Sequence, residues 1–177
     1  MQIWMRFTAI LMVLLISGCA TGSPPRGVYQ DPATIIRIQF DGKAGPGHSH
    51  PAAISPDVIR HVLNGIRIRS RNSFVPSIIT GEASLVAAFS TEEQAVLGPQ
   101  LSQALAEAKP DELVTFYRRV STPAVGLAIT SGGLFVHGRH LYVVLANDRT
   151  LPSEGMSQSI VSEIDPVDSP LLPISRA

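Results

Sequence analysis

Apolar residues recur along the chain in two rhythms, one of strands and one of helices. Between Ala33 and Phe40, the residues Ile36, Ile38 and Phe40 alternate with Arg37 and Gln39, the period of a half-buried strand. Ser55-Pro56-Asp57 then sets an N-cap, a proline at the first helical position and an acid in the first turn. Val58, Ile59, Val62 and Leu63 form the apolar stripe of that helix, and Gly65 sits where its end belongs. Ile66 and Ile68 alternate with Arg67, Arg69 and Arg71, giving a strand with one apolar and one cationic face. Leu85–Phe89 predicts a further short strand, after a stretch broken by Pro76 and Gly81. Ser90-Thr91-Glu92-Glu93 is a capping box, and it opens a helix with Leu97, Leu101, Ala104, Leu105 and Ala108 on one face. Gly98-Pro99 is expected to divide this helix, since proline removes a hydrogen bond and clashes one turn back.

Strands follow over Leu113–Val120, Ala124–Thr130, Leu134–His137 and His140–Ala146. Ser131-Gly132-Gly133 reads as a bend, and Gly138-Arg139 as a hairpin turn. The unbroken apolar run Leu141–Leu145 places its strand in the middle of the sheet. The order is therefore β-α-β-β-α-β-β-β-β. It predicts a single α+β domain over residues 33–150, a mainly antiparallel sheet with two helices on one face. Residues 19–32, rich in Pro, Gly and Ser, read as a flexible tether. Residues 151–177 read as a proline-rich acidic tail, extended or disordered. Within it, Met156, Ile160, Val161 and Ile164 suit one side of a short helix.

The amino-terminal stretch has a different logic. Arg6 precedes the ten residues Phe7–Ile16, apolar except for Thr8, a length that suits a signal-peptide core and falls short of a spanning helix. Leu15-Ile16-Ser17-Gly18-Cys19 closes it. This segment resembles the lipobox of bacterial lipoproteins. The resemblance covers residues 1–19 and implies cleavage after Gly18, lipid on Cys19 and stable attachment to a membrane. In such lipoproteins an aspartate after the cysteine favours the inner membrane, and with Ala20 in that place the resemblance implies an outer-membrane address facing the periplasm. Cys19 is the single cysteine, so the mature fold relies on its core with no internal disulfide.

Charge narrows the function classes. There are 14 basic and 14 acidic residues, and loss of residues 1–18 removes only Arg6, leaving 13 against 14. Nucleic-acid binding, which needs a strong basic excess, is disfavoured. Arg67, Arg69 and Arg71 project from one strand face and suit phosphates, carboxylates or an acidic segment, one candidate being the tail with Glu154, Glu163, Asp165 and Asp168. His48 and His50 lie in a Gly-rich loop, where a solvated position is the plainer reading, because a useful metal site needs three or four ligands and nothing in the sequence brings in Asp41. His137 and His140 flank the hairpin turn, and His61 lies on the polar side of its helix. Ser131-Gly132-Gly133 leads into a strand and is no nucleophile elbow, and Gly42–Gly47 lacks the spacing of a phosphate loop.

These features predict an envelope lipoprotein with a non-enzymatic binding or assembly role, with no cofactor and no metal. Its expected contact is the Arg67/Arg69/Arg71 face on an envelope protein or anionic polymer. Two alternatives remain open: a periplasm-facing hydrolase or metal-dependent enzyme drawing on His48, His50, His137 or His140, and a structural accessory subunit of an envelope complex.

Overall fold

The structure, a computed structural model, describes residues 23–69, 85–122, 126–150 and 167–174. The strands are β1 (Arg26–Gln30), β2 (Thr34–Phe40), β3 (Arg67–Arg69), β4 (Leu85–Ala87), β5 (Glu112–Thr122), β6 (Gly126–His137) and β7 (His140–Thr150). The helices are α1 (Pro56–Gly65) and α2 (Thr91–Glu107). Five strands form one antiparallel sheet in the order β1-β2-β5-β6-β7, and β3 and β4 form a separate two-stranded ribbon. The protein is thus α+β, with a mainly antiparallel sheet and both helices on one face. No helix among the described residues is long and apolar enough to cross a membrane.

Alternation along each strand decides what the helices cover. Ile36 and Ile38 of β2, Val114 and Phe116 of β5 and Leu134 of β6 point to one side and are fully buried. Leu97, Leu101, Ala104 and Leu105 of α2, with Ile59 and Leu63 of α1, close over them in a single core. Both helix starts behave as their residues dictate. The Ser55 side chain accepts from Val58 N, and Ser90 and Glu93 complete a reciprocal capping box.

Pro99 does not divide α2, which runs unbroken through it. The carbonyl that loses its donor belongs to Ala95, an exposed residue, where solvent is available to take the place of the lost bond. Gly98 has a separate reason to be there. A Cβ at this position would stand 2.6 Å from Arg60 Cγ and 3.2 Å from Pro56 O, so its absence lets α1 close against α2.

Three other expectations are corrected. Residues 26–30, assigned by composition to the tether, form β1 at the sheet edge, paired with β2 across a bulge. Ser131-Gly132-Gly133 is no bend but the middle of the continuous strand β6. Small residues are needed there because a Cβ on Gly132 would meet Val144 O at 2.1 Å, and one on Gly133 would meet Leu171 Cδ2 at 2.9 Å. The run Leu141–Leu145 lies in β7, which is an edge strand and not a central one. Its apolar character comes from the core margin on one side and a ring stack on the other, described below.

Part of the acidic tail is ordered against the domain. Residues 167–174 cross the sheet face opposite the helices as a strap. At one end Arg37 of β2 donates to Val167 O and Asp168 Oδ1, at 3.1 and 2.9 Å. Ser131 Oγ donates to Pro170 O at 2.7 Å, and Asn147 Nδ2 donates to both Ser131 Oγ and Leu172 O. Ile174 N closes the strap by donating to Asn147 Oδ1 at 2.8 Å. Asn147 is 2% exposed, so its amide is fully committed to holding the strap. The short helix suggested by Met156, Ile160, Val161 and Ile164 lies outside the described residues. Asn147→Ala is expected to cost about 2–3 kcal/mol in chemical denaturation, since it strands buried partners, and to make the carboxyl-terminal segment the first site of limited proteolysis.

Candidate functional site

Beyond β2 the chain folds into two successive tight turns. Asp41 N donates to Asp111 O, Asp41 Oδ1 accepts from Lys43 N, and Ala44 N and Gly47 N each close a turn at 3.0 Å. Gly45 and Gly47 have φ of +59° and +100°, so glycine is required at both. Gly47 also lies against Pro110, whose carbonyl accepts from His48 N. The result brings the ends of the loop together: His48 Nε2 donates to Asp41 Oδ2 at 2.9 Å.

The next residues fill a gap in the sheet. Pairing of β5 with β6 begins at Val114 opposite Leu134, so the following part of β6 has no β5 neighbour. The 49–50 segment takes that place. Ser49 N donates to Val136 O, Val136 N donates to His50 Nε2 at 3.0 Å, and Gly138 N donates to Ser49 Oγ. His48 and His50 are therefore buried, at 9% and 6% exposure, where a solvated loop was expected. The missed signal is the Gly-Pro-Gly turn chemistry between Asp41 and His48, which shortens the loop enough to bring the two together.

His50 is held by opposing demands. Burial, then the neighbouring His48, push its pKa below the usual imidazole value, against weaker support from the backbone at Glu112 and Lys109. Because its Nε2 accepts from Val136, the neutral ring carries its proton on Nδ1, which is buried without a hydrogen bond. His50 is thus a structural histidine that completes the β6 edge.

Next to this histidine pair lies a pocket of about 380 Å3 on the strap side of the sheet. Leu113, Phe135, Val144 and Leu171 supply its apolar part, and Asp41, Lys43, His48 and His137 its polar part. Phe135 links the two, with His48 4.5 Å away on one side and Tyr142 stacked at 5.0 Å on the other. Sequence reasoning finds His48 and His137 but misses Phe135, Val144 and Leu171, which meet only through sheet register and the strap. An Asp–His pair beside an apolar floor can orient an imidazole and move a proton. Among the described residues no serine, threonine or cysteine lines this pocket. His140 does not line it, and no group of three or more His, Cys, Asp or Glu suited to a metal exists among the described residues.

The cationic candidates lie elsewhere. Arg67 and Arg69 stand exposed on the β3–β4 ribbon, opposite Ala87 and Leu85, with no carboxylate across from either. Arg67 donates to the carbonyls of Asn64 and Ile66 and so closes the end of α1. Arg71 falls outside the described residues, as do Cys19, Glu154, Glu163 and Asp165. The described part of the acidic tail does not reach this ribbon, because Asp168 pairs with Arg37 on the opposite sheet face.

Two further charge clusters are structural. Glu93, 4% exposed, receives Ser90 N and lies near Arg118 and Arg149. Burial alone would raise the pKa of Glu112, yet hydrogen bonds from Arg26 and Lys109 N hold its carboxyl below the usual range. His61 is exposed on α1, with no cluster around it among the described residues.

No protein-family model, no curated protein and no solved structure matches the chain.

The buried His50 sets a pH dependence whose sign follows from its lowered pKa. As pH falls below about 6.5, the unfolded chain binds a proton that the native site refuses, so stability declines until the native group itself protonates. Urea midpoints measured between about pH 7 and pH 5 should fall for the parent chain. The His50→Asn variant, less stable at neutral pH, should show a flatter dependence.

Proposed function

We propose that the protein is a bacterial envelope lipoprotein, anchored by lipid on Cys19 at the outer membrane, with a non-enzymatic binding role in the periplasm. Its contact is the exposed Arg67–Arg69 face, extended in sequence by Arg71. The observation that favours this reading is that the two guanidinium-bearing residues face no acid among the described residues and that Arg69 lies opposite Leu85, which is 64% exposed. Cations beside an uncovered leucine suit an acidic protein segment with an apolar anchor better than a uniform polyanion.

The lipobox gives the domain its position. Only residues 20–25 separate Cys19 from β1, so the lead spans at most about 25 Å. The ribbon then works near the bilayer and not at the end of a long stalk. Replacing Arg67, Arg69 and Arg71 together by Ala is expected to lower the melting temperature by no more than about 5 °C, through the lost contacts of Arg67 at the end of α1, while abolishing co-purification of the partner from solubilised envelopes. Unchanged capture would overturn the assignment of this face. Cys19→Ser should move the protein from the membrane pellet to the soluble fraction and remove incorporation of labelled fatty acid.

One observation favours a second, enzymatic reading: Asp41, His48 and His137 converge at a pocket with an apolar floor. It requires the nucleophile to be water or to come from the substrate. Hydrolysis of chromogenic esters by the purified chain, lost in His48→Ala, supports it; equal rates in both remove it.

A further inference from the structure

The two edges of the sheet are built differently. β1 is five residues long, is bulged between Gly27 and Tyr29, and follows Pro24-Pro25. Such devices discourage another strand from pairing there. β7 has eleven residues, and from His140 to Leu145 it pairs regularly with β6 before the register shifts near Ala146. No lysine, acid or proline interrupts this regular part. It is also only partly covered on both faces. Leu141, Val143 and Leu145 are half-buried at the core margin, while Tyr142 and Val144 are each 44% exposed on the other side. A long, apolar edge with no strand paired to it among the described residues is a template for strand addition.

We propose that β7 pairs with β7 of a second copy, antiparallel, about a twofold axis through Val143. The ladder dictates which groups are available. His137 and His140 close a two-residue turn and so form a hydrogen-bonded pair. Alternation then directs the backbone N–H and C=O of His140, Tyr142 and Val144 toward β6, and those of Leu141, Val143 and Leu145 outward. The outward set is symmetric. With Val143 on the axis, Leu141 meets the second copy's Leu145 and Tyr142 meets the second copy's Val144, so every cross-strand pair from Leu141 to Leu145 is apolar.

Charge does not oppose the pairing at the ends, where Arg139 at the turn of one copy comes opposite the uncharged Asn147 of the other. Asp148 and Arg149 lie beyond the regular segment, after Ala146 and Asn147, and do not meet their own copies in this register. A second copy therefore extends the sheet, covers both half-exposed faces of β7 and leaves the strap and the basic ribbon accessible.

The test uses the full mature chain extracted in detergent. Light scattering at micromolar protein should give twice the chain mass. Co-expression of differently tagged Tyr142→Cys and Val144→Cys chains should yield a mixed disulfide on mild oxidation, because these positions form the close, non-hydrogen-bonded pair at roughly 4.5 Å between Cα atoms. Chains carrying the two changes at Tyr142 and Leu127, which lies on β6, should not crosslink. Val143→Pro removes an N–H that the copy itself does not use, so it should leave β6–β7 paired while halving the mass. Val144→Lys should do the same by placing like charges near the axis, and it guards against a folding defect in the proline variant. A parent chain that is monomeric, or monomeric with a different protein paired along β7, overturns the inference. A dimer that survives both edge variants, or lacks the mixed crosslink, overturns it as well.

Discussion

The pairing of β2 with β5 carries the rest of the domain. Seven residues from Thr34 to Phe40 match Arg118 to Glu112 in unbroken register, joining segments more than seventy residues apart. Everything between them, the Gly-rich loop, both helices and the ribbon, is an excursion that leaves this seam and returns to it. Closing so long a loop is entropically costly, and α2 offsets the cost by covering the seam with its leucine face. The seam also extends past its last strand residues. Asp41 N reaches Asp111 O and His48 N reaches Pro110 O, so the turn that joins Asp41 to His48 is fastened to β5 before either side chain makes a contact.

On the opposite face the sheet is finished by polar groups, not by a second apolar layer. Ser131 and Asn147 are buried and fully bonded, and their partners are mostly backbone atoms of the strap. Buried polar groups of this kind specify where a segment sits, since any displacement leaves them unsatisfied. Leu171 is thereby set over Gly133, and the same placement makes it a wall of the pocket. The strap and the pocket are one construction: hydrogen bonds at Ser131 and Asn147 fix the apolar side chain that Phe135 and Val144 face.

What the sequence makes legible is local. Both helix starts, the Gly138 turn and the alternation of Ile36 and Ile38 each depend on a few neighbouring residues, and each occurs as read. What it conceals depends on partners distant in the chain. Gly132 and Gly133 have the composition of a bend, and only the approach of Val144 O and Leu171 explains them as strand. Pro99 has the chemistry of a break, and only the exposure of Ala95 makes it harmless. At the candidate site the sequence names the histidines but misjudges them. Burial of His48 and His50 follows from a vacancy beside β6 that no window of residues can show. Arg67 and Arg69 are legible as an exposed cationic row, whereas Arg67's role in closing α1 is not.

Under the lipoprotein reading proposed above, the unequal edges would also constrain how the molecule meets a membrane. The short lead enters at β1, and the open edge is β7, on the far side of the sheet. Antiparallel addition at β7 has its twofold axis perpendicular to the sheet, which sends the two β1 edges to opposite flanks and opposite ends. In such a dimer, two lipid anchors in one bilayer would require that axis to lie along the membrane normal, with the joined sheet parallel to the surface. The ribbon bearing Arg67 and Arg69 packs on the helix side, through Ile68 and through Phe89 against Phe116. If the strap side rests toward the lipid, both ribbons point into the periplasm; if the helix side does, both are pressed against headgroups. The proposed capture of a protein partner by the basic surface would demand the first arrangement, which would turn the pocket beside His48 toward the bilayer.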